Sequence, residues 1–399
     1  MSRRKFLIGM GSAAVAASPR ILLAGKSRLC VGIVGGGIIG ASIALHLSQA
    51  GADVTLFEKT ALASGATSKS FAWLNAFSGT PHYRDLRLQS LSAWHELDRQ
   101  LQLDITWGGS LLWHDDREAA QRLIASARKH NRAGYRMDIL DAGKFAVIAP
   151  NLAPGPFESA VHAGMDGHLD PVFVTRKILD HAQRQGAQIR CPCEVTDLAF
   201  SGSRLTEVIT TEGKFGVDRL VIAAGVDTSG LAAKVDCVVP LKHAPGILAH
   251  SVPIKPLTKI VAEHQSLYFK QTSDGRIIGT DSPYAPDTPV HQEILAGQRI
   301  FPSEELRTVH GSRILDKIAT LLPGARGAAL QRLTLGFRPL PKDGFPITGF
   351  VPGVPDVYLA VMHSGITLAP IMGQLISREI LDDNLLDTLA PYRPGRFAD

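Results

Sequence analysis

The chain has 399 residues, of which 45% are hydrophobic and 20% are charged, so it can bury a large core and divide into two or more domains. Its net charge of +5 does not indicate a nucleic-acid-binding face. Residues 1–28 hold six basic and no acidic residues, and the rest of the chain carries −1 once these six are removed. Four cysteines are too few for a disulfide scaffold, and no His/Cys cluster has metal-ligand spacing, so we predict no metal site.

The first 28 residues have the pattern of an export signal rather than of a membrane anchor. Their apolar run at residues 6–18 is shorter than the roughly 20 residues that span a bilayer. The pattern Ser-Arg-Arg-x-Phe-Leu, which starts at Ser2, matches twin-arginine signals, with Ile8 where a lysine is usual. We therefore expect the twin-arginine export machinery as a partner and a periplasmic location, or a cytoplasmic one if the signal is not functional.

A strand, a glycine turn and a helix open the globular part of the chain. Residues 29–34 have the pattern of a short buried strand, and the glycine turn after them leads into a helix that ends at Gly51. Residues 53–59 form a second strand pattern. This order predicts a βαβ unit and hence a parallel, doubly wound sheet.

The turn has the spacing Gly35-x-Gly37-x-x-Gly40, which permits a tight bend, the approach of a pyrophosphate, and close helix–strand packing. Glu58 ends the second strand 18 residues beyond Gly40, where a carboxylate would accept a hydrogen bond from a ribose 2′-OH. The motif predicts a dinucleotide site and argues against NADP, while NAD and FAD both remain open. The predicted cofactor-binding residues of this unit are Gly35, Gly37, Ile38, Ile39, Gly40, Glu58 and Lys59.

Further helices and strands follow along the chain. Apolar spacing and turn residues predict helices at 82–103, 116–135 and 170–186, short strands within 194–225, an antiparallel sheet within 240–300, and a last helix at 367–383. The chain thus combines a parallel α/β part with an antiparallel part.

Several later stretches carry a family resemblance: SGATSKSFAWLNA, HLDPVFVTRKILDHAQRQGAQIRCPCEVTDL, DRLVIAAG, GFRPLPKDGFPITG and VMHSGITLAPIMG. In this order they resemble the D-amino-acid oxidase superfamily of FAD enzymes, which includes glycine oxidase, sarcosine oxidase and D-amino-acid dehydrogenases. The resemblance implies an α/β fold, with a Rossmann-like FAD-binding domain built on a parallel sheet. An interleaved α+β substrate domain would contain the antiparallel sheet. The implied FAD-binding domain comprises 29–105, 165–240 and 330–399, and the substrate domain comprises 106–164 and 241–329.

The resemblance also implies roles for single residues. It adds these cofactor-binding residues: Ala66, Thr67, Ser68, Val195, Ala224, Gly225, Gly365, Ile366 and Thr367. Arg338 would bind the substrate carboxylate, since a planar guanidinium suits that geometry. Tyr268 would face the substrate, and His363 would lie beside the flavin. By residue type alone, a structural ion pair, a core aromatic residue and a packed histidine remain open alternatives for these three.

The implied reaction is oxidation of the C–N bond of an amino acid or N-substituted amino acid by hydride transfer to flavin N5. The partners would be a small amine substrate and an electron acceptor, either oxygen or a quinone or protein. Relatives that hold flavin covalently use a cysteine near the RPLPKDG motif, and because no cysteine follows Cys237 we predict non-covalent FAD. Two alternatives remain: a flavoenzyme acting on a hydroxy acid or polyol phosphate, and a catalytically silent flavin-binding electron-transfer subunit.

Overall fold

The computed structural model describes residues 28–281, 289–297 and 303–397, and the predicted export signal lies outside these ranges. The α-helices of the described ranges are α1 (Ile38–Gln49), α2 (Pro81–Leu101), α3 (Arg117–Arg132), α4 (Ala142–Ile148), α5 (Pro171–Arg184), α6 (Thr228–Ala232), α7 (Pro289–Ala296), α8 (Glu304–Leu321) and α9 (Gly365–Asp382). Within the same ranges, no helix is both long and apolar enough to cross a bilayer.

The strands are β1 (Cys30–Val34), β2 (Asp53–Phe57), β3 (Trp73–Leu74), β4 (Ser110–Trp113), β5 (Asp138–Leu140), β6 (Ala160–Ala163), β7 (Gly167–His168), β8 (Gln188–Arg190), β9 (Val195–Ser201), β10 (Arg204–Thr210), β11 (Gly213–Gly216), β12 (Arg219–Ile222), β13 (Leu241–Lys242), β14 (Pro245–Ser251), β15 (Val261–His264), β16 (Leu267–Gln271), β17 (Ile277–Thr280), β18 (Leu330–Phe337), β19 (Leu340–Pro341), β20 (Ile347–Val351) and β21 (Val354–Val361).

A six-stranded sheet has the order β20-β21-β12-β1-β2-β8, and every neighbouring pair is parallel except β20 with β21. Residues of α1, α2, α5 and α9 form a buried cluster with this sheet. A second cluster joins the sheet to the three-stranded sheet β11-β10-β9. Because both faces are covered, a strand such as CVGIV is apolar throughout rather than alternating.

An eight-stranded sheet has the order β18-β14-β17-β16-β15-β4-β6-β5, and its pairs are antiparallel except β15 with β4. Ile314 and Ile318 of α8 pack in the core on one of its faces. On the other face, Lys270 Nζ donates to the carbonyl oxygen of Leu169 at 3.1 Å. A Cβ atom built on Gly336 would lie 2.3 Å from Cβ of Lys69, so this face lies against the loop that follows β2.

The predicted fold class is confirmed, with one largely parallel sheet and one largely antiparallel sheet. Helices α2, α3 and α5 lie where the apolar spacing predicts them, and Asp170 caps α5 by accepting from the N–H groups of Val172 and Phe173, both at 2.9 Å. Strand β18 pairs with β14 in the eight-stranded sheet, although residues from 330 onward were predicted to be in the FAD-binding domain. No local sequence pattern predicted this long-range pairing or helix α8.

Candidate active site

The loops that follow four parallel strands meet at one edge of the six-stranded sheet. Strands β1, β2, β12 and β21 run parallel, so their carboxyl ends lie at the same edge. The residues that follow them are the glycine turn 35–40, Glu58, Ala224 with Gly225, and His363. Ligands of doubly wound sheets bind outside this edge. The fold therefore brings together four segments that were predicted to bind the cofactor.

The glycine turn is packed tightly at two positions. Gly35 has a φ of +112°, and a Cβ atom there would lie 2.5 Å from the carbonyl oxygen of Ala223. A Cβ atom on Gly40 would lie 2.0 Å from the carbonyl oxygen of Gly35. These approaches require glycine at both positions, because any side chain would push the turn away from β12 or from α1.

The first turn of α1 is bonded to the loop that follows β2. The N–H of Ile38 donates to Thr67 Oγ1 at 3.1 Å. The N–H of Gly36 donates to Glu58 Oε2 at 2.8 Å, which fixes the carboxylate across the glycine turn. Thr67 thus lies at the N-terminus of α1, whereas the Ser68 hydroxyl donates to a carbonyl within its own loop. Their contacts with a pyrophosphate stay predictions.

Other predicted cofactor residues surround Glu58. Lys59 Nζ lies 3.0 Å from Asp227 Oδ2 and so joins the segment after β2 to the segment after β12. The carbonyl oxygen of Glu58 accepts from the N–H of Cys193 at 2.7 Å, which holds the chain leading into Val195 beside the end of β2. Val195 is 7% exposed, and Ala66 precedes the helical turn Thr67–Lys69.

The N-terminus of α9 touches that of α1. A Cβ atom on Gly365 would lie 3.4 Å from Cγ1 of Ile39. The Trp94 indole N–H donates to the carbonyl oxygen of Thr367 at 3.0 Å, and Thr367 Oγ1 donates to the carbonyl oxygen of Trp73 at 3.1 Å. Each helix N-terminus carries a partial positive charge. Two positive ends therefore converge at the carboxyl edge of the sheet.

This edge fits a flavin dinucleotide. The Glu58 carboxylate suits a ribose hydroxyl, and the two helix ends suit a pyrophosphate and an electron-rich ring. Gly225 has a φ of +60°, and a Cβ atom built there would meet no atom within 4 Å, so space is available at the end of β12. Ile366 is buried in the first turn of α9. Among the residues that the structure describes, no group of three His, Cys, Asp or Glu side chains is placed to hold a metal ion.

Arg338 lines a cleft of about 190 Å³ between the end of β18 and α6. Its Nε and Nη2 atoms lie 3.4 Å from the carbonyl oxygens of Ala244 and Pro245, respectively. Burial, followed by the charges of Arg338 and Arg87, lowers the pKa of His363 to about 4. His363 is therefore neutral near pH 7. The charge of Arg338 acts on His363, so these two of the three predicted catalytic residues interact electrostatically.

Tyr268 lies on β16, on the face of the eight-stranded sheet that meets the loop after β2. Its ring centroid is 6.2 Å from that of Trp73, which precedes Leu74 in the short strand β3. Its hydroxyl donates to Glu263 Oε1 at 3.1 Å. Tyr268 is thus held in one orientation by an aromatic neighbour and a carboxylate.

Glu263 is a candidate that the sequence analysis missed. It lies opposite Tyr268 in the antiparallel pair β15–β16. Burial raises the pKa of its carboxyl to about 7, against the opposing effect of the Tyr268 hydrogen bond. The sequence feature that could have identified Glu263 is the two-residue loop Gln265-Ser266 between two strands. Such a loop fixes the register of a hairpin, and this register places Glu263 opposite Tyr268.

The raised pKa of Glu263 implies a pH-dependent stability. Between about pH 4.5 and 7, the folded protein keeps a proton on this carboxyl that the unfolded chain has lost, so its stability falls as the pH rises through this window. Glu263→Gln should remove this loss. In urea unfolding of the holoenzyme, the free energy of unfolding at pH 8 should rise by roughly 1–3 kcal/mol over wild type and change little at pH 4. The exposed turn residue Glu212 gives a matched control, Glu212→Gln. An equal gain at both pH values, or none at pH 8, contradicts the expectation.

The fold and the site define a dinucleotide-dependent oxidoreductase with a second, largely antiparallel sheet. The chain belongs to the DAO family, described as FAD dependent oxidoreductases, which matches residues 30–379. FAD is therefore its cofactor, as the family resemblance implied.

Two similar proteins illustrate the family. The chain is 26% identical over 362 residues to 4-methylaminobutanoate oxidase (formaldehyde-forming) of Paenarthrobacter nicotinovorans, which covers 88% of this chain and 43% of that protein. It is 26% identical over 379 residues to the glycine oxidase of Geobacillus kaustophilus, covering 92% and 96% of the two chains.

Two solved structures share the fold of this chain. The crystal structure of the Geobacillus glycine oxidase matches with a TM-score of 0.81 and 25% identity, over 92% of this chain and 99% of that one. L-proline dehydrogenase from P. horikoshii matches with a TM-score of 0.82 and 20% identity, over 93% and 98%, and shows the shared fold. The chain thus spans under half of the first relative and nearly all of glycine oxidase.

Proposed function

We propose that the protein oxidises the C–N bond of an amino acid or N-substituted amino acid. The main support is Arg338, a guanidinium that lines a cleft and whose charge reaches His363, next to the N-terminus of α9. A guanidinium binds a carboxylate through two parallel hydrogen bonds. The names of the two relatives, 4-methylaminobutanoate oxidase and glycine oxidase, both refer to amines that carry a carboxylate.

The chain's own residues orient the substrate. When bound, FAD supplies the hydride acceptor. Arg338 holds the carboxylate, which restricts the position of the carbon that bears the amine. Tyr268, oriented by Glu263, forms the wall on the side of the eight-stranded sheet. His363 is neutral near pH 7, so it adds no second positive charge to compete with Arg338 for the carboxylate.

The proposal is tested by flavin bleaching under anaerobic conditions. The purified FAD-containing protein is mixed with glycine, N-methylglycine, D-alanine, L-proline and iminodiacetate, and separately with lactate and glycerol 3-phosphate. Loss of visible flavin absorbance with at least one amine supports the proposal. Bleaching only by lactate or glycerol 3-phosphate supports the alternative reaction, and no bleaching except by dithionite supports a silent subunit. Adding oxygen or a quinone to the bleached protein then identifies the acceptor, since peroxide forms only with oxygen.

We also propose that the protein reaches the periplasm through twin-arginine export. The Ser-Arg-Arg-x-Phe-Leu pattern at Ser2 supports this, because that route carries proteins that have already folded around a cofactor. The double variant Arg3→Lys/Arg4→Lys should remain in the cytoplasm, as measured by cell fractionation. A charge-conserving pair later in the leader, Lys26→Arg/Arg28→Lys, should still be exported. Recovery of the first variant from the periplasm contradicts the proposal.

A further inference from the structure

Arg87 is a buried guanidinium whose hydrogen-bond acceptors are all uncharged. The side chain lies on α2 and is 7% exposed. Its Nε donates to the carbonyl oxygen of Asn75 at 3.0 Å, its Nη2 to Asn75 Oδ1 at 2.5 Å, and its Nη1 to Ser364 Oγ at 3.0 Å. Across residues 28–281, 289–297 and 303–397, no carboxylate oxygen forms an ion pair with it within 4.0 Å.

A buried charge without an ionic partner is unfavourable, because the desolvation of the guanidinium is not offset by an anion. The charge of Arg87 acts to lower the pKa of the buried Asp166 carboxyl. That carboxyl nevertheless accepts its hydrogen bonds from Ser110, Tyr135 and Trp73 and not from Arg87. The Tyr83 ring, whose centroid lies 5.5 Å from the guanidinium carbon of Arg87, offsets part of the desolvation, but no described carboxylate forms an ion pair with this charge. A bound anion, or a group that becomes negative during the reaction, would account for it.

The position of Arg87 shows where such a group would lie. Ser364, which accepts from Arg87, immediately precedes α9 and has a φ of +59°. Its Oγ also lies 3.1 Å from Nδ1 of His363. Arg87 therefore adds its charge to the partial positive charge of the α9 N-terminus, at the carboxyl edge of the six-stranded sheet.

We propose that Arg87, positioned by Asn75 and acting at the α9 N-terminus through Ser364, offsets the negative charge that FAD gains on reduction and so raises the reduction potential of the bound cofactor. This rests on the cofactor position that the family resemblance implies, with the flavin beside His363 and the first turn of α9. The substrate transfers a hydride, which consists of two electrons and one proton, so the net charge of the cofactor falls by one. A fixed positive charge favours the reduced side of that equilibrium.

The sharpest test changes the charge balance without removing Arg87. Asn75→Asp replaces an amide by an isosteric carboxylate that still accepts from Arg87 Nη2. The equilibrium constant for two-electron reduction of bound FAD should fall about tenfold or more, a drop of about 30 mV in midpoint potential. The potential is measured by enzymatic reduction with a reference dye, which needs no amino-acid substrate. Sulfite, whose adduct at flavin N5 also leaves extra negative charge, should bind about tenfold more weakly.

Variants of the arginine itself separate charge from structure. Arg87→Gln should lower the potential in the same direction as Asn75→Asp, and Arg87→Lys, which keeps the charge, should stay closer to wild type. The matched control is Arg84→Gln, one helical turn earlier, because Arg84 is 8% exposed but already paired with Asp85 at 3.2 Å. Its charge is not among those that lower the pKa of His363.

The outcomes are distinct from those of the substrate test. An unchanged potential and sulfite affinity in Asn75→Asp overturn the proposal, as do equal shifts in Arg87→Gln and Arg84→Gln. Failure of both Asn75→Asp and Arg87→Gln to retain FAD would also overturn it, in favour of a purely structural role. A wild-type protein that no amine reduces contradicts the proposed function, yet these potentials can still be measured and compared.

Discussion

Replacing Arg338 by methionine should lower kcat/KM for the amino-acid substrate about a thousandfold while FAD remains bound. The guanidinium lines a cleft and its charge helps to lower the pKa of His363. Two charge-assisted hydrogen bonds from it to a carboxylate contribute roughly 4 kcal/mol together. Losing them also lets the substrate rotate away from the hydride acceptor, so the limiting rate should fall along with the affinity. Rapid-mixing measurement of flavin bleaching over a range of substrate concentrations gives both quantities.

Arg326→Met is the matched control, since Arg326 is exposed in the segment that leads into β18. It should keep wild-type kinetics. If Arg338→Met bleaches at the wild-type rate and half-saturates at the same concentration, Arg338 does not bind the carboxylate and serves only in a structural ion pair. A second comparison uses the wild-type enzyme alone. If it oxidises an amine that lacks the carboxylate as efficiently as the corresponding amino acid, Arg338 does not bind the carboxylate.

Substituting Gly40 by alanine should have the second largest effect, on cofactor retention. The new Cβ atom would lie 2.0 Å from the carbonyl oxygen of Gly35, and neither atom belongs to a flexible side chain that could give way. Overpacking of this kind costs roughly 1–3 kcal/mol. Because the displaced turn is the one that we predict to approach the pyrophosphate, the fraction of protein purified with FAD should fall about tenfold. Flavin absorbance per protein measures this directly.

Gly79→Ala is the control for Gly40→Ala, because Gly79 is exposed and lies outside the predicted cofactor-binding segments. A Cβ atom on Gly79 would meet no atom within 4 Å, and its φ lies outside the left-handed region. Its FAD content should therefore equal that of wild type. Full FAD content in Gly40→Ala would show that the turn and α1 can separate without harm, and the steric argument for the glycine spacing would then be wrong.

The parts that the sequence predicted are those that depend on neighbours in the chain. Strand β1, the glycine turn, α1 and β2 are encoded by an apolar run, a glycine spacing and a helical apolar pattern within residues 29–59. Helix α5 begins where an Asp-Pro pair predicts it, because the cap bonds only to the next turn of the chain. Local dihedral preferences and burial patterns suffice for such elements, and the carboxyl-edge site follows from the order of parallel strands.

Tertiary structure alone decided which distant segments meet. Strand β18 joins the eight-stranded sheet through its pairing with β14, and the sequence between them carries no local mark of that partner. Asn75 and Ser364 come from opposite ends of the chain, yet both accept hydrogen bonds from Arg87. Such contacts arise from the summed packing of many elements, none of which specifies them alone. The sequence by itself determined the dinucleotide-binding unit, since glycine spacing and strand burial are local, whereas the charges that surround the site were decided by packing over long distances.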